Sequence, residues 1–175
     1  MKTIVRYGFI LGVICFISAG LLAGVNALTG PKILAQNIEQ EQRTLSEVLP
    51  QAERFEAIKS EKNETAFYKA FDKDNNLVGA AFKAQGKGYS SLIETMVGTT
   101  LDGKIVAIKV INQNETPGLG SAVAQADFTG QFKNQDSREL SGVEAITGAT
   151  ISSEALINSI KQKSGQVLKV LKDGK

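Results

Sequence analysis

Three hydroxyl side chains lie in one short stretch, Ile-Thr-Gly-Ala-Thr-Ile-Ser at 146–152, immediately before an amphipathic helical pattern. Hydroxyls at the start of a helix can cap its free N–H groups. The same free N–H groups also suit a phosphate, and the small residues Gly148 and Ala149 let a large group reach the Thr150 hydroxyl. The residues alone leave two interpretations open, a helix cap and a site that holds a phosphate group.

A second stretch with unusual backbone chemistry is Glu-Thr-Pro-Gly-Leu-Gly at 115–120. Pro117-Gly118 is a preferred centre for a type II turn, because proline presets φ and glycine accepts a positive φ. Such a turn lets the main chain approach a flat ligand closely, and Glu115 and Thr116 offer an acceptor and a hydroxyl beside it. An ordinary tight turn explains the same residues.

The composition excludes several kinds of site. The chain has no histidine, no tryptophan and one cysteine, Cys15. Without histidine, Ser-His-Asp and Cys-His catalysis are excluded, and the lack of Cys and His in the later chain argues against zinc. The net charge is +2, and no basic block alternates with aromatic residues, so a nucleic-acid surface is not predicted. We predict neither catalytic residues nor metal ligands.

The N-terminal segment has no charged residue between Gly8 and Leu28, which is close to the roughly 20 residues that cross a bilayer. The alternative is a signal peptide cleaved near Val-Asn-Ala at 25–27, but the apolar core of a signal peptide is usually about 7–15 residues long. We predict a retained single-pass anchor in the cell (inner) membrane. Lys2 and Arg6 favour a cytoplasmic N-terminus, which places the later chain outside the cytoplasm.

The pattern after the anchor predicts an α+β fold. Thr29-Gly30-Pro31 predicts a break in the helix, and a helical pattern then continues as far as Pro50. From about Ala66 the hydrophobic period changes towards two. We predict an antiparallel meander with strands at 66–71, 77–84, 91–99 and 104–112, a glycine-broken loop at 85–90 and a hairpin turn at Asp102-Gly103.

In the last predicted strand, Val106, Ile108 and Val110 are expected on one face, with Ile105, Ala107 and Ile111 on the other. Because both faces look half-buried, helices are expected to cover at least one side of the sheet. A short helix is predicted at 121–128, and a terminal helix from the stripe Leu156, Ile160, Val167, Leu168 and Leu171. Phe132 and Leu140 are the expected anchors of the polar stretch 131–142. The predicted divisions are 1–30 for the cytoplasmic tip and anchor, 31–60 for a juxtamembrane helix or linker, and 61–175 for the domain.

Taken together, these stretches resemble the FMN-binding domain of the G subunit of the Rnf-type electron-transport complex, and of its relative, the C subunit of the sodium-pumping NADH:quinone oxidoreductase. The resemblance includes the membrane helix, Gly-Tyr-Ser at 88–90, Asp-Gly-Lys-Ile at 102–105, the 115–120 stretch and Ala-Ile-Thr-Gly-Ala-Thr-Ile-Ser at 145–152. It covers most of the chain in the same order. The short length is more similar to the Rnf protein.

The resemblance implies FMN attached covalently, through its phosphate, to the last threonine of a [Ser/Thr]-Gly-Ala-Thr motif, here Thr150, with Thr147, Gly148 and Ala149 beside it. A separate flavin transferase that uses FAD and Mg²⁺ would make the bond. It would recognise the acidic residue six positions earlier, here Glu144 where the family usually has Asp. The residues that match the family's turn against the flavin are Glu115, Thr116, Gly118 and Leu119.

The implied function is the relay of single electrons within an Rnf-type complex, which couples electron flow between reduced ferredoxin and NAD⁺ to Na⁺ or H⁺ movement. The expected partners are the other subunits of the complex, the flavin transferase and the lipid bilayer. No GxGxxG follows a strand, so the chain is not expected to bind the nicotinamide, and no reaction is assigned to it in isolation. The alternatives are an electron carrier of a quinone-reductase pump or other extracytoplasmic redox chain, and a non-flavin membrane-tethered structural module.

Overall fold

The structure is a computed structural model that describes residues 2–59 and 65–173 of the 175-residue chain. The chain divides into two compact units, Met1–Gln42 and Arg43–Lys175. The second unit contains the whole sheet, including a first strand that the sequence did not predict. This unit therefore begins before residue 61, the boundary predicted from the sequence.

The first helix, α1, spans Lys2–Val48 and contains Pro31. The predicted break at Thr29-Gly30-Pro31 is therefore wrong. A single proline removes one hydrogen bond of a helix, and the residues on both sides continue the helix around it. The hydroxyl of Thr29, two residues before the proline, also donates to the carbonyl oxygen of Val25 at 2.9 Å. Prolines of this kind are tolerated in membrane helices.

The N-terminal part of α1 presents an apolar surface around its circumference. Every side chain from Thr3 to Thr29 is exposed. A helix that is apolar on all sides is usually a membrane span or the centre of a large protein. Within the described residues, one helix, Thr3–Val48, is long and apolar enough to cross a membrane, although a signal sequence passes the same test.

The second unit contains a five-stranded antiparallel sheet whose strands follow sequence order. The strands are β1 Arg54–Lys59, β2 Thr65–Phe71, β3 Leu77–Lys87, β4 Leu92–Thr100 and β5 Ile105–Asn112. The predicted meander and its four strands are confirmed. Strand β1 was missed because it is an edge strand with mostly exposed side chains, so its sequence lacks a clear buried stripe.

Two details of the sheet differ from the sequence expectations. Strand β3 continues to Lys87, because residues 85–87 pair with residues 92–94 of β4, so the connecting loop is only 88–91. In β5, Ile105 and Ile108 are buried in the same cluster, although strict alternation puts them on opposite faces. The register between β4 and β5 shifts beside Thr99, and a bulge of this kind reverses the facing of the residues beyond it.

The hairpin turn between β4 and β5 is confirmed. Gly103 has a φ of +90°, and its N–H donates to the carbonyl oxygen of Thr100 at 3.0 Å. Asp102, by contrast, has a negative φ. Among the described non-glycine residues, a positive φ is found at Asn75, Asn134 and Leu140.

One face of the sheet packs against the long C-terminal helix, which spans Thr150–Asp173. Leu156 and Ile160 of this helix are fully buried against Phe82 and Val97 of the sheet. The terminal helix and the covering of the sheet are therefore confirmed. The expected anchors Phe132 and Leu140 are buried in the same cluster.

The opposite face is covered by the end of α1, through a cluster that contains Leu45, Val48, Leu49 and Met96. Between β5 and the terminal helix, the predicted short helix at 121–128 is divided in two. A 3-10 turn at Gly120–Ala124 precedes α2, Ala126–Thr129, and a second 3-10 turn follows at Gly130–Phe132. The terminal helix is named α3.

Candidate functional site

A cleft of about 430 Å³ lies where three segments meet, namely the loop after β3, the 115–120 turn and the start of α3. Its volume falls within the range of roughly 300–1,000 Å³ that is usual for small-molecule and cofactor sites. Among the residues predicted to hold a cofactor, those that line the cleft are Glu115, Thr116, Leu119, Gly148, Ala149 and Thr150. Gly118 and Thr147 are not part of its lining.

Thr150 is the first residue of α3 and is exposed. Among the described residues, its hydroxyl has no hydrogen-bond partner, and neither has that of Thr147. The N–H groups of Thr150, Ile151 and Ser152 have no backbone acceptor within that part of the chain either. A free hydroxyl therefore stands beside free N–H groups and the positive end of a 24-residue helix, which is a favourable environment for a phosphate.

The Ser153 hydroxyl ties the loop before α3 to the first turn of the helix. Its oxygen accepts the N–H of Ile146 at 3.1 Å, and the hydroxyl donates to the carbonyl oxygen of Ala149 at 3.0 Å. The N–H of Ala149 in turn donates to the carbonyl oxygen of Ile146 at 2.9 Å. The sequence shows several hydroxyls before a helix, and the structure separates Ser153, which orders the loop, from Thr150, which is free.

The Pro117-Gly118 turn has the predicted geometry. Gly118 has a φ of +76°, and the N–H of Leu119 donates to the carbonyl oxygen of Thr116 at 3.1 Å, as in a type II turn. The turn also meets the loop before α3. Gly148 has a φ of +81°, and a Cβ built there lies 3.5 Å from a methyl carbon of Leu119.

Glu115 differs from its predicted role as an acceptor offered to a ligand, because its carboxylate is bonded within the protein. The Oε1 atom accepts the N–H groups of Ser90 and Ser91 at 3.0 and 2.8 Å. The Oε2 atom accepts the N–H of Tyr89 at 3.1 Å and the hydroxyl of Ser152 at 2.6 Å. Burial alone raises the pKa of Glu115, but the bonds from Ser152 and the three N–H groups outweigh it and lower the pKa below its usual value.

Large side chains with apolar surface surround the cleft and remain exposed. Tyr89 is 73% exposed, Ile151 55% and Leu119 49%. Exposed apolar and aromatic groups around a concave site suit a flat ligand with apolar faces. Sequence reasoning did not select Tyr89 or Ile151 as contacts, although Gly-Tyr-Ser at 88–90 was among the stretches that carried the resemblance.

Glu144 lies outside the cleft lining and is exposed. Its backbone N–H donates to the side-chain oxygen of Gln131 at 2.9 Å, which fixes the main chain while leaving the carboxylate accessible. Among the residues that the structure describes, no group of three or more His, Cys, Asp or Glu side chains is placed to hold a metal ion.

Two family models match the chain. The FMN-binding domain matches residues 88–163, which include all three segments of the cleft. The RnfG N-terminal region matches residues 1–48, which correspond to α1.

Curated relatives match over nearly the full length. The G subunit of the proton-translocating ferredoxin:NAD(+) oxidoreductase complex of Clostridium ljungdahlii is 31% identical over 90% of this chain and 88% of its own. The G subunit of the Na(+)-translocating ferredoxin:NAD(+) oxidoreductase complex of Acetobacterium woodii is 32% identical over 91% of this chain and 89% of its own.

The fold is also similar to a solved structure, the NqrC protein of Shewanella oneidensis. The TM-score is 0.51 and the identity is 21%, over 70% of this chain and 74% of that one. The cleft itself suits FMN on three counts. It has exposed apolar groups for a flat ring. Within the described residues, the N–H groups at the start of α3 and the Thr150 hydroxyl have no hydrogen-bond partner, so they are available to a phosphate.

Proposed function

Because the chain belongs to the RnfG family of ion-translocating oxidoreductase subunits, we propose that it carries FMN bonded covalently to Thr150. It is an FMN-binding protein that relays electrons within an ion-translocating ferredoxin:NAD oxidoreductase. Beyond this family function, we assign Thr150 as the attachment residue, a flavin transferase as the enzyme that modifies it, and the extracytoplasmic side of the membrane as the location of the domain.

The observation that carries the attachment proposal is the environment of the Thr150 hydroxyl. Thr150 is exposed at the cleft, and its hydroxyl has no hydrogen-bond partner within the described residues, whereas the Ser153 hydroxyl is bonded to Ile146 and Ala149. If the hydroxyls of the 146–152 stretch served only to cap α3, one of them would be expected to accept an N–H of its first turn, and within the described residues none does. The free hydroxyl of Thr150 instead supports a role in attachment.

The attachment is a phosphoryl transfer that needs no catalytic base on this chain. The Thr150 hydroxyl oxygen attacks the FMN-side phosphorus of FAD and forms a new P–O bond. The pyrophosphate P–O bond breaks, AMP leaves, and the hydroxyl proton passes to the transferase or to water. The chain contributes the accessible hydroxyl, and the N–H groups at the start of α3 are available to the phosphodiester that results.

Bound FMN supplies electron-transfer chemistry that no side chain of this protein provides. The residues of the chain bind and orient the group. Leu119, Ile151 and Tyr89 offer apolar contact for the ring. Gly118 and Gly148 carry no side chain, which permits their positive φ and leaves room at the turn and the motif. The covalent bond at Thr150 prevents loss of the cofactor from a domain outside the cytoplasm.

The apolar part of α1 supports a membrane anchor, and Lys2 and Arg6 before it support a cytoplasmic N-terminus. On this arrangement the cleft faces the extracytoplasmic side, in contact with other subunits of the complex. The flavin transferase is a transient partner that acts on the exposed Thr150, with the exposed Glu144 six residues earlier.

The functional proposal is tested on the native complex purified from membranes through a tag on this chain. We expect an NADH-oxidising iron–sulfur protein to copurify. In the native complex, NADH should bleach the flavin absorbance. After denaturation, the flavin that stays covalently bound should be found on this chain. In right-side-out spheroplasts, external protease should digest the cleft-bearing unit. A chain purified without redox partners, with a flavin that NADH does not reduce, would count against the relay.

A further inference from the structure

Glu115 is a charged side chain enclosed in the wall of the cleft. It is only 6% exposed, and five hydrogen bonds reach its two oxygens. Four come from the loop at 88–91, namely the N–H groups of Tyr89, Ser90 and Ser91 and the hydroxyl of Ser91 at 3.2 Å. The fifth comes from the hydroxyl of Ser152 on α3. We call this set the Glu115 network.

The Glu115 network joins the three segments that form the cleft. Glu115 belongs to the 115–120 turn, residues 89–91 to the loop after β3, and Ser152 to the first turn of α3. Charge-assisted hydrogen bonds of this kind are roughly twice as strong as neutral ones. A single carboxylate therefore sets the spacing between the segment that carries Tyr89 and the segment that carries Thr150.

The backbone on two sides of the carboxylate lacks side chains. A Cβ at Gly88 would lie 2.6 Å from the Oε1 atom of Glu115, and a Cβ at Gly120 would lie 2.7 Å from the Oε2 atom. Either contact is shorter than real Cβ atoms show. Glycine at both positions is what allows the loop and the turn to close on one buried carboxylate.

The loop that the Glu115 network holds presents its large side chain to the cleft. The Tyr89 side chain is mostly exposed, so its position depends on the backbone beneath it. That backbone is a short turn, closed by the N–H of Gly88 donating to the carbonyl oxygen of Ser91 at 2.8 Å. The N–H of Asn114 also donates to the Ser91 hydroxyl oxygen at 2.8 Å, which ties the turn to the segment before Glu115.

We propose that Glu115 is a positioning residue that holds the Tyr89 loop and the start of α3 at a fixed separation, so that the flavin ring is seated in the cleft. The inference rests on the proposed attachment at Thr150 and separates two requirements. Bond formation requires the Thr150 hydroxyl, whereas seating of the ring requires the Glu115 network. Without the network, FMN remains attached through its phosphate, but its ring moves on the tether.

The Glu115→Gln substitution keeps the shape and removes the charge. One amide oxygen can still accept the N–H groups of Ser90 and Ser91. The amide NH₂ group is a donor only, so it faces the N–H of Tyr89 without being able to accept it. The matched control is Glu154→Gln, which removes a negative charge from an exposed position of α3 outside the cleft lining.

The first measurement uses the full-length chain in detergent, made without the transferase and therefore free of flavin. Hydrogen exchange at the Tyr89, Ser90 and Ser91 amides should be on the order of tenfold faster in Glu115→Gln, because these donors lose a charged acceptor. Glu154→Gln should match the wild type. Unchanged protection of the three amides in Glu115→Gln would overturn the proposal, whether or not Thr150 carries FMN.

The second measurement uses the chain made with the transferase. Glu115→Gln should keep the mass of one attached FMN, while its flavin fluorescence anisotropy falls and its intensity rises towards those of free FMN. Wild type and Glu154→Gln should show a high anisotropy, and Glu115→Asp an intermediate one. An anisotropy equal to that of the wild type in Glu115→Gln would overturn the seating role.

If Glu115→Gln fails to accumulate, Ser152→Ala provides the same test with one bond removed. It leaves the four bonds from the loop intact and should lower the anisotropy partially with FMN retained. A wild-type chain without FMN would contradict the attachment proposal alone, since the exchange measurement on the unloaded chain still decides whether the network positions the loop.

Discussion

The backbone N–H of Glu144 donates to the side-chain oxygen of Gln131 at 2.9 Å, across 13 residues of sequence. Glu144 is exposed, six positions before Thr150, which is also exposed. The backbone between these two residues is held by Ser153, whose hydroxyl bonds to the N–H of Ile146 and the carbonyl oxygen of Ala149. The segment that carries the acidic residue and the acceptor hydroxyl is therefore ordered before any flavin is attached, and both groups face solvent where another protein can reach them.

Replacing Glu144 tests whether the transferase reads this carboxylate. We expect Glu144→Ala to slow FMN incorporation by about tenfold, which corresponds to about 1.4 kcal/mol of transition-state free energy. Glu144→Asp should be at least as fast as the wild type. Incorporation is followed by in-gel flavin fluorescence over time. Glu139→Ala, at another exposed acidic position, serves as the control, and equal rates in Glu144→Ala and Glu139→Ala would remove Glu144 from the recognition role.

The lowered pKa of Glu115 predicts how the stability of the domain depends on pH. Because the folded-state pKa lies below the ordinary value of 4.5, the stabilisation is fully present above that value. It is lost as pH falls through the folded-state pKa. Wild type should exceed Glu115→Gln in unfolding free energy by about 1–3 kcal/mol near pH 7, and the difference should narrow below pH 4.5. Thermal unfolding of the full chain in detergent, followed by near-ultraviolet circular dichroism, measures this difference in unfolding free energy. A difference that widens on acidification would contradict a lowered pKa of Glu115 in the folded state.

A pair of glycine substitutions isolates the backbone requirement of the 115–120 turn. A Cβ meets nothing within 4 Å at either Gly118 or Gly130, but φ is +76° at Gly118 and −63° at Gly130. Gly118→Ala should therefore cost about 1–2 kcal/mol of strain and impair flavin loading or shift the flavin potential. Gly130→Ala should be neutral or stabilising by up to about 1 kcal/mol. Equal stability and equal redox titrations for the two variants would show that the turn conformation is not needed.

Local patterns predicted the elements that depend on local chemistry. Alternation along the chain located four strands. Asp102-Gly103 identified the turn between β4 and β5, and Pro117-Gly118 identified the turn after β5, because few residues accept a positive φ. Strand β1 escaped prediction because its edge position leaves most of its side chains exposed. The break expected at Pro31 did not occur, since one missing N–H does not end a helix whose remaining bonds are intact.

The site was predicted in outline through the resemblance, and its internal roles depended on long-range contacts. Thr150, Gly148 and Leu119, which the resemblance implies as FMN contacts, line one cleft, and their binding of FMN stays a prediction. The sequence could not show that Glu115 bonds to Ser152, because that contact joins residues 37 positions apart. Similarly, the hydroxyls of Thr150 and Ser153 look alike in sequence, and only the structure shows that Ser153 bonds to Ile146 and Ala149 while Thr150 has no partner within the described residues.

Covalent attachment of FMN at Thr150 is decided by intact-mass measurement of the full chain coexpressed with a flavin transferase. We predict that wild type and Thr147→Ala each gain the mass of one FMN less one water, and that Thr150→Ala gains nothing while remaining folded. Peptide mapping should place the added mass on the fragment that contains Thr150. A wild-type chain without this gain, or a Thr150→Ala chain that still shows it, would contradict attachment at this residue.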